Sequence, residues 1–436
     1  MDTSPRVAHE CDNNDNALRS GQTTWHEADI SSSLKETPGW RDWPDTPQWN
    51  ADPMNLFVVI GGDGHRRVTL IDGDRFEPVH SLVMRSGLRG VPKFSRDGRY
   101  VYFSSHEGWI TKYDLWNLKI AAEIRVGIET CDIALSSDGK WLLAANRMPH
   151  SLVLLDADLK LEKTYVATTL DGGPSSRVSA VYDARQRKSF IVAFNDIPEI
   201  WEISYNPAAE PIYDGLVHDY KMGEGIARPG YLGVRRTRLT EPLEELVFDQ
   251  SHAYALGASR QRGDGSSIVQ VVNLDVRRKI AEVLIPGKPN LSSGITFEHQ
   301  GTQVLASPNL QTGTVNVIDM RMWKLIKNIE TPGPGLFMRS HDATRYAWVD
   351  SMISPASKHT LTIIDKRTLK PAGSVHARPG ETIGPVEFTK DGKYALASLG
   401  QNGGSLIVYD ATTFQEVKRL PLPELVGQFN VFNRIR

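Results

Sequence analysis

FSRDGRYVYFSSHEGWITKYDLWNLKI, residues 94–120, holds two short runs of alternating apolar and polar residues, each preceded by a polar turn. Alternation of this kind marks half-buried strands. The second run ends on a hydrophobic-x-Asp step at Tyr113-Asp114. The same step recurs at Ile71-Asp72, Leu155-Asp156, Leu274-Asp275, Ile318-Asp319, Ile364-Asp365 and Tyr409-Asp410, with Trp201-Glu202 filling the role once. Successive steps lie 42 to 46 residues apart, except for one gap of 73. That gap contains a Pro-, Gly- and Arg-rich insertion at about 206–241.

A matching strand precedes most steps, as in LSSDGKWLLAA, FEHQGTQVLAS and FTKDGKYALAS. Asp97-Gly98, Asp138-Gly139 and Asp391-Gly392 supply the residues that tight turns with positive φ require. A period of 40–50 residues carrying about four short strands is the signature of a β-propeller blade. The repeat predicts an all-β, eight-bladed propeller over 53–436. No blade can bury both of its faces alone, so closure of the ring is what makes the unit stable. The C-terminal GQFNVFN is the expected closing strand, pairing near Leu56–Ile60. The Asp of each step is read as a turn cap rather than a catalytic group.

Residues 1–52 are polar and rich in Pro, Asp, Ser and Trp. They read as an extended arm or linker with a helical turn near WHEADISSSL, pinned to a surface through Trp25, Trp40, Trp43 and Trp49. The first 20 residues do not have the pattern of a secretory signal, so the cytoplasm is the expected compartment if Met1 is the true start. A net charge of −2 argues against a general nucleic-acid binder, and no apolar run is long enough to span a membrane. The two cysteines, Cys11 and Cys131, make no disulfide framework, and Cys131 reads as a small buried core residue. The absence of C-x-x-C-H excludes covalent c-type haem attachment to this sequence.

The 12 histidines form no metal-binding motif, so no protein-only metal site is expected, and neither G-x-S-x-G nor a P-loop is present. Arginine is more informative. Arg89, Arg147, Arg177, Arg260 and Arg339 each fall near a predicted strand–loop junction in a different blade. Arginine binds carboxylates bidentately and keeps its charge when partly buried. Arginines converging on a channel would suit a ligand with several carboxylates; scattered surface charge is the bland alternative. His106, His150, His218 and His252 read as structural histidines, and His65 as a loop residue able to reach the channel mouth.

Long stretches of the chain resemble the haem d1-binding propeller of the cytochrome cd1 nitrite reductases, and more closely the NirN-type haem d1 biosynthesis proteins. The resemblance rests on PKFSRDGRYVYF, GWITKYDLWNLKIAAEIRVG, SSRVSAVYDARQRKSFIVA, GLVHDYKMGEG, VVNLDVRRKIAEV, IETPGPGLFMRSH and GQFNVFN, among others, and covers about nine-tenths of the chain. It implies a pocket for a non-covalent haem d1 or dihydro-haem d1, with Arg89, Arg147, Arg177, Arg260, Asn290, Arg339 and His341 as cofactor-binding residues. His341 is the implied catalytic base. It also implies a periplasmic setting, with a cytochrome cd1 nitrite reductase or a c-type cytochrome electron acceptor as partner.

The departures matter too. The c-type haem domain of the family has no counterpart in this sequence. Arg89-Gly90, Asn290 and Pro385 stand where pocket histidines are expected, which leaves His341. Neutral imidazole is the usual axial ligand of haem iron. The expectation is therefore a protein that binds haem d1 or its precursor without reducing nitrite. Three functions remain open: a dihydro-haem d1 dehydrogenase-like oxidoreductase, a carrier, and a cofactor-free protein–protein scaffold whose interaction arm is the insertion with its YLGVRRTRL core.

Overall fold

The computed structural model describes residues 24–213, 227–243, 245–259, 261–400 and 404–435. Their strands assemble into eight antiparallel sheets arranged as the blades of a propeller. Blade 1 spans 56–83, blade 2 88–125, blade 3 129–166 and blade 4 178–238. Blade 5 spans 247–286, blade 6 295–330, blade 7 338–376 and blade 8 382–421. The C-terminal strand Gly427–Asn430 becomes the innermost strand of blade 1, pairing Phe57 with Asn430 and Ile60 with Gly427. The expected closure is borne out.

Each hydrophobic cluster draws on two adjacent blades. Leu143 and Leu154 of blade 3 pack with Phe190, Val192 and Trp201 of blade 4. Phe57, Val59 and Ile71 of blade 1 pack with Leu396, Leu406 and Val408 of blade 8, which seals the ring. Blade faces are buried by neighbours, so burial and circular closure are one event.

The hydrophobic-x-Asp steps end the third strand of their blades and cap the turn to the fourth. One carboxylate oxygen accepts two backbone N–H groups: Asp114 from Trp116 and Asn117 (2.9 and 3.0 Å), and Asp319 from Arg321 and Met322 (2.8 and 2.7 Å). The residue four after the cap is left-handed yet large: Phe76, Leu118, Trp323, Leu369 and Phe414 all have φ between +52° and +64°. Burial of an apolar side chain such as Phe76 or Leu369 offsets the ~1 kcal/mol cost of that conformation. Two blades depart from the expected rule. In blade 5 Asn273, not Asp275, caps the turn, while Asp275 pairs with Arg187. In blade 4 Glu202 grips Arg187 through both oxygens (3.0 and 3.1 Å) instead of capping.

The segment over residues 24–55 packs against the ring. Its helix Glu27–Ser33 buries Ile30, and the short strand Lys35–Glu36 adds a fifth strand to blade 2. Trp25 and Trp49 donate to the Arg125 and Leu115 carbonyls (3.2 and 2.8 Å), and Trp40 is 4% exposed beneath the Lys112 ammonium. Trp43 sits under Lys119. The tryptophans pin this segment as expected.

The YLGVRRTRL stretch is not a free arm. Val234–Arg238 pairs with the Glu199–Ser204 strand as the fourth strand of blade 4, because the blade is one strand short without it. Cys131 is buried as expected; Cys11 lies outside the described residues. Among the described residues no helix is long and apolar enough to cross a membrane.

Candidate functional site

Four antiparallel strands return the chain to the mouth of the channel from which the blade began. Every innermost strand therefore starts at one mouth, here the upper, where the loops between second and third strands also lie. The other two kinds of turn line the lower mouth.

Arg89, Arg147 and Arg177 all lie at the upper mouth, in blades 2, 3 and 4. Each sits where the ladder between first and second strands slips register. Blade 2 shifts between Arg89 and Lys93, with Gly90 at φ +75°. In blade 3 Arg147 is itself the residue skipped between Asn146 and Met148. Blade 4 shifts between Val178 and Ala180, directly after Arg177. Blades 5, 6 and 7 keep regular register in the same place, while blade 8 shifts between Ile383 and Val386 without an arginine. A β-bulge re-aims a side chain and interrupts pairing, and such bulges concentrate next to functional sites.

Glu129, the first residue of its strand, gathers this region. Its Oε1 lies 4.0 Å from Arg89 Nη1, 3.8 Å from Arg147 Nη1 and 3.7 Å from His106 Nδ1. These separations exceed N–H···O hydrogen bonds, so the charges face each other without closing on each other. The Arg147 side chain is 5% exposed, so its charge is held in low-dielectric surroundings. Beside this cluster Arg177 forks onto Asp196 (Nε–Oδ2 3.1 Å, Nη2–Oδ1 2.9 Å), and that guanidinium holds the Asp196 carboxyl below its usual range. His150 Nδ1 is 2.8 Å from Ser175 Oγ, and burial lowers the ring's pKa.

Arg339 lies in the three-residue innermost strand of blade 7, half-buried. Its Nη1 donates to the Met338 carbonyl at 3.0 Å, and it forms no ion pair among the described residues. Burial, with the like charge of Arg434, lowers it to about 10 against the pull of Glu387 and Asp350. Asp350, buried nearby, accepts the Leu336 and Phe337 N–H groups (2.8 Å each), and burial pushes its carboxyl up to about 6.

Two expected site residues are placed elsewhere or otherwise engaged. His341 follows the lower end of the blade 7 strand. Its Nδ1 accepts the Ala343 N–H at 3.1 Å, its ring packs against Gly392, and Phe388 lies 6.2 Å away between ring centres. This is a lower-mouth turn, not the mouth holding Arg89, Arg147 and Arg177. Asn290 is at the upper rim, but its amide donates to the Leu336 carbonyl (2.9 Å) and Ser293 Oγ (3.2 Å) and accepts from Ser292 (3.1 Å), which ties blade 6 to blade 7. Arg260 lies outside the described residues, as does His218.

Glu129, His106, His150 and Asp196 were not singled out from the sequence as site residues. Nothing local marks them: they become neighbours of the arginines only when blades 2, 3 and 4 stack. Among the described residues no three His, Cys, Asp or Glu side chains form a set able to hold a metal ion. The upper mouth suits an anionic ligand: arginines from blades 2, 3 and 4, and two imidazoles on the rim.

Comparison with known proteins agrees with the fold. The sequence model described as Cytochrome D1 heme domain matches residues 51–214 and 231–434. The chain is 43% identical over 414 residues to dihydro-heme d1 dehydrogenase of Pseudomonas aeruginosa, covering 94% of this chain and 78% of that protein. It is 26% identical over 353 residues to protein NirF of Stutzerimonas stutzeri, covering 77% and 81%. The solved structure of dihydro-heme d1 dehydrogenase NirN in complex with DHE superposes with a TM-score of 0.85 at 41% identity, over 95% of this chain and 83% of that one. Apo AztD from Citrobacter koseri, at 10% identity and a TM-score of 0.54 over 86% of this chain and 96% of that one, shares the fold alone. The chain belongs to the cytochrome d1 haem-domain family.

Proposed function

We propose that this protein binds haem d1 or its dihydro precursor at the upper mouth and acts in haem d1 biosynthesis or delivery for denitrification. The observation that carries the reading is the 41% identity and TM-score of 0.85 to a dihydro-heme d1 dehydrogenase, joined to an arginine-rich mouth on the same ring. Arg89 and Arg147 would hold carboxylates of the macrocycle. Arg177 would contribute less, because Asp196 already occupies its fork.

When bound, the dihydro tetrapyrrole is the group that loses electrons; its oxidation releases two electrons and two protons. A c-type cytochrome or a cytochrome cd1 nitrite reductase is the proposed acceptor class, and the periplasm the proposed compartment. The chain's own part is to orient the macrocycle and take up a proton. His106 is the better placed base, since it faces Glu129 at 3.7 Å beside Arg89 and Arg147, whereas His341 is at the other mouth. Nitrite reduction does not follow from this arrangement. Of the positions where pocket histidines are expected, Asn290 is held in structural hydrogen bonds and His341 is at the other mouth.

Titration with haem d1 and with dihydro-haem d1, followed by absorption spectroscopy, tests the reading. Saturable binding of both with a spectral shift is expected, and conversion of the dihydro form once an electron acceptor is added. Binding without conversion leaves a carrier. Failure of both tetrapyrroles to bind overturns the proposal in favour of a scaffold.

A further inference from the structure

The lower mouth contains a cavity of about 440 Å³ that has no part in the reading above. It is walled by the turns between first and second strands of blades 2, 3 and 4, by Phe248 of blade 5, and by the C-terminal helix Val431–Ile435. Its apolar wall is made by Phe94, Phe248, Tyr182 and Ile435. The first two rings are fixed by neighbours: Phe94 packs with the apolar core of blades 1 and 2, and Phe248 meets Tyr182 edge-on with 5.4 Å between centroids.

The charge of the lining is one-sided. Four cations, Lys93, Arg96, Arg185 and Arg434, face a single lining carboxylate, Asp183. Arg434 pairs with Glu387 and Lys93 lies 3.8 Å from Asp132. Arg96 and Arg185 have no carboxylate within ion-pair distance among the described residues; Arg185 donates to the Ile435 carbonyl at 2.7 Å and so ties the helix over the cavity. Asp183 is itself engaged, accepting the Tyr205 hydroxyl at 2.5 Å. An apolar, ring-bearing wall with unbalanced guanidiniums at its edge is complementary to an amphipathic anion.

We propose that the lower mouth is a second ligand site, separate from the tetrapyrrole mouth, for a small aromatic or branched aliphatic carboxylate. The apolar body lies against Phe94, Phe248 and Ile435, and the carboxylate meets Arg96 and Arg185. Both arginines are exposed, so replacing them removes no core packing, only the Arg185 hydrogen bond to the Ile435 carbonyl.

The test uses the full chain and anilinonaphthalene sulfonate as fluorescent probe. Saturable binding is expected. Naphthoate should displace the probe, whereas naphthylmethylamine, the same body with a cation, should not. The double variant Arg96→Gln/Arg185→Gln should weaken probe and naphthoate binding by about tenfold, two charge-assisted contacts being lost. Its haem d1 titration should be that of the parent, so failure here and failure of the tetrapyrrole reading are told apart. Absence of probe binding, equal displacement by the amine, or unchanged affinity in the double variant each overturns the proposal.

Discussion

The two mouths of this ring are built on opposite terms. The lower mouth repeats itself: an Asp or Asn caps the turn between third and fourth strands in most blades, with a large left-handed residue four positions on. The upper mouth departs from repetition in four blades, three of which carry an arginine there, the fourth being blade 8 at Ile383–Val386. Blades 2, 3 and 4 lose ladder register beside Arg89, Arg147 and Arg177, while blades 5, 6 and 7 do not. Repetition marks what every blade needs in order to stack. Local breaks in it mark where one blade differs from the next.

The largest way to break this comparison is at the caps. Asp114 has no exposed side-chain surface and also receives Arg99 Nε at 3.0 Å. Asp114→Ala strips the buried Arg99 guanidinium of one of its two carboxylate partners, leaves several N–H donors unsatisfied and should cost about 3 kcal/mol in chemical denaturation. The half-buried cap Asp410, which receives the Thr412 and Thr413 N–H groups and the Thr413 hydroxyl but no guanidinium, should cost about 1 kcal/mol when replaced by Ala. Equal costs would mean that the caps act through the turn alone.

Next comes pH. The Asp350 carboxyl is raised from 3.8 to about 6 in the folded state, chiefly by burial. The folded protein therefore binds this proton more tightly than the unfolded chain. The stability it confers is complete below 3.8 and is lost as pH rises through about 6. Parent minus Asp350→Ala stability should fall by about 3 kcal/mol between pH 3.5 and pH 7. Taking the difference removes other titrating groups from the comparison. A flat difference curve would show Asp350 to be ionised at both ends.

The upper mouth is tested by Arg89→Gln/Arg147→Gln, which should weaken haem d1 binding by about a hundredfold in an absorption titration. Thermal melts of the same variant keep loss of binding apart from loss of fold. Smallest of all is the expected effect of His341→Ala. Its ring caps a lower-mouth turn, so the haem d1 titration should be unchanged; a large loss of affinity would return His341 to the pocket.

How much of this was legible in the sequence differs between the mouths for a physical reason. The period of the hydrophobic-x-Asp step, the turn residues and the closing strand are local or strictly periodic, and a chain of such units can bury its faces only by closing into a ring. Blade number, closure and family were therefore readable from residues alone. Capping was readable as a rule but not in its exceptions: that Asn273 replaces Asp275, and that Glu202 grips Arg187, depends on which neighbour lies across a blade boundary.

The site depends almost wholly on tertiary structure. Met338–Ser340 is three residues long, so Arg339 and His341, two residues apart in sequence, are divided between the channel interior and the lower mouth. A motif match identifies both and cannot say at which end of the strand each one emerges. Glu129 meets Arg89, His106 and Arg147 only because blades 2 and 3 stack, and no sequence spacing encodes that meeting. The sequence by itself determined that the chain is a ring of repeats of the cytochrome d1 kind, since that follows from periodic burial. Which charges face one another across the channel was decided by the stacking of the blades, because electrostatic neighbours are set by distance through space and not along the chain.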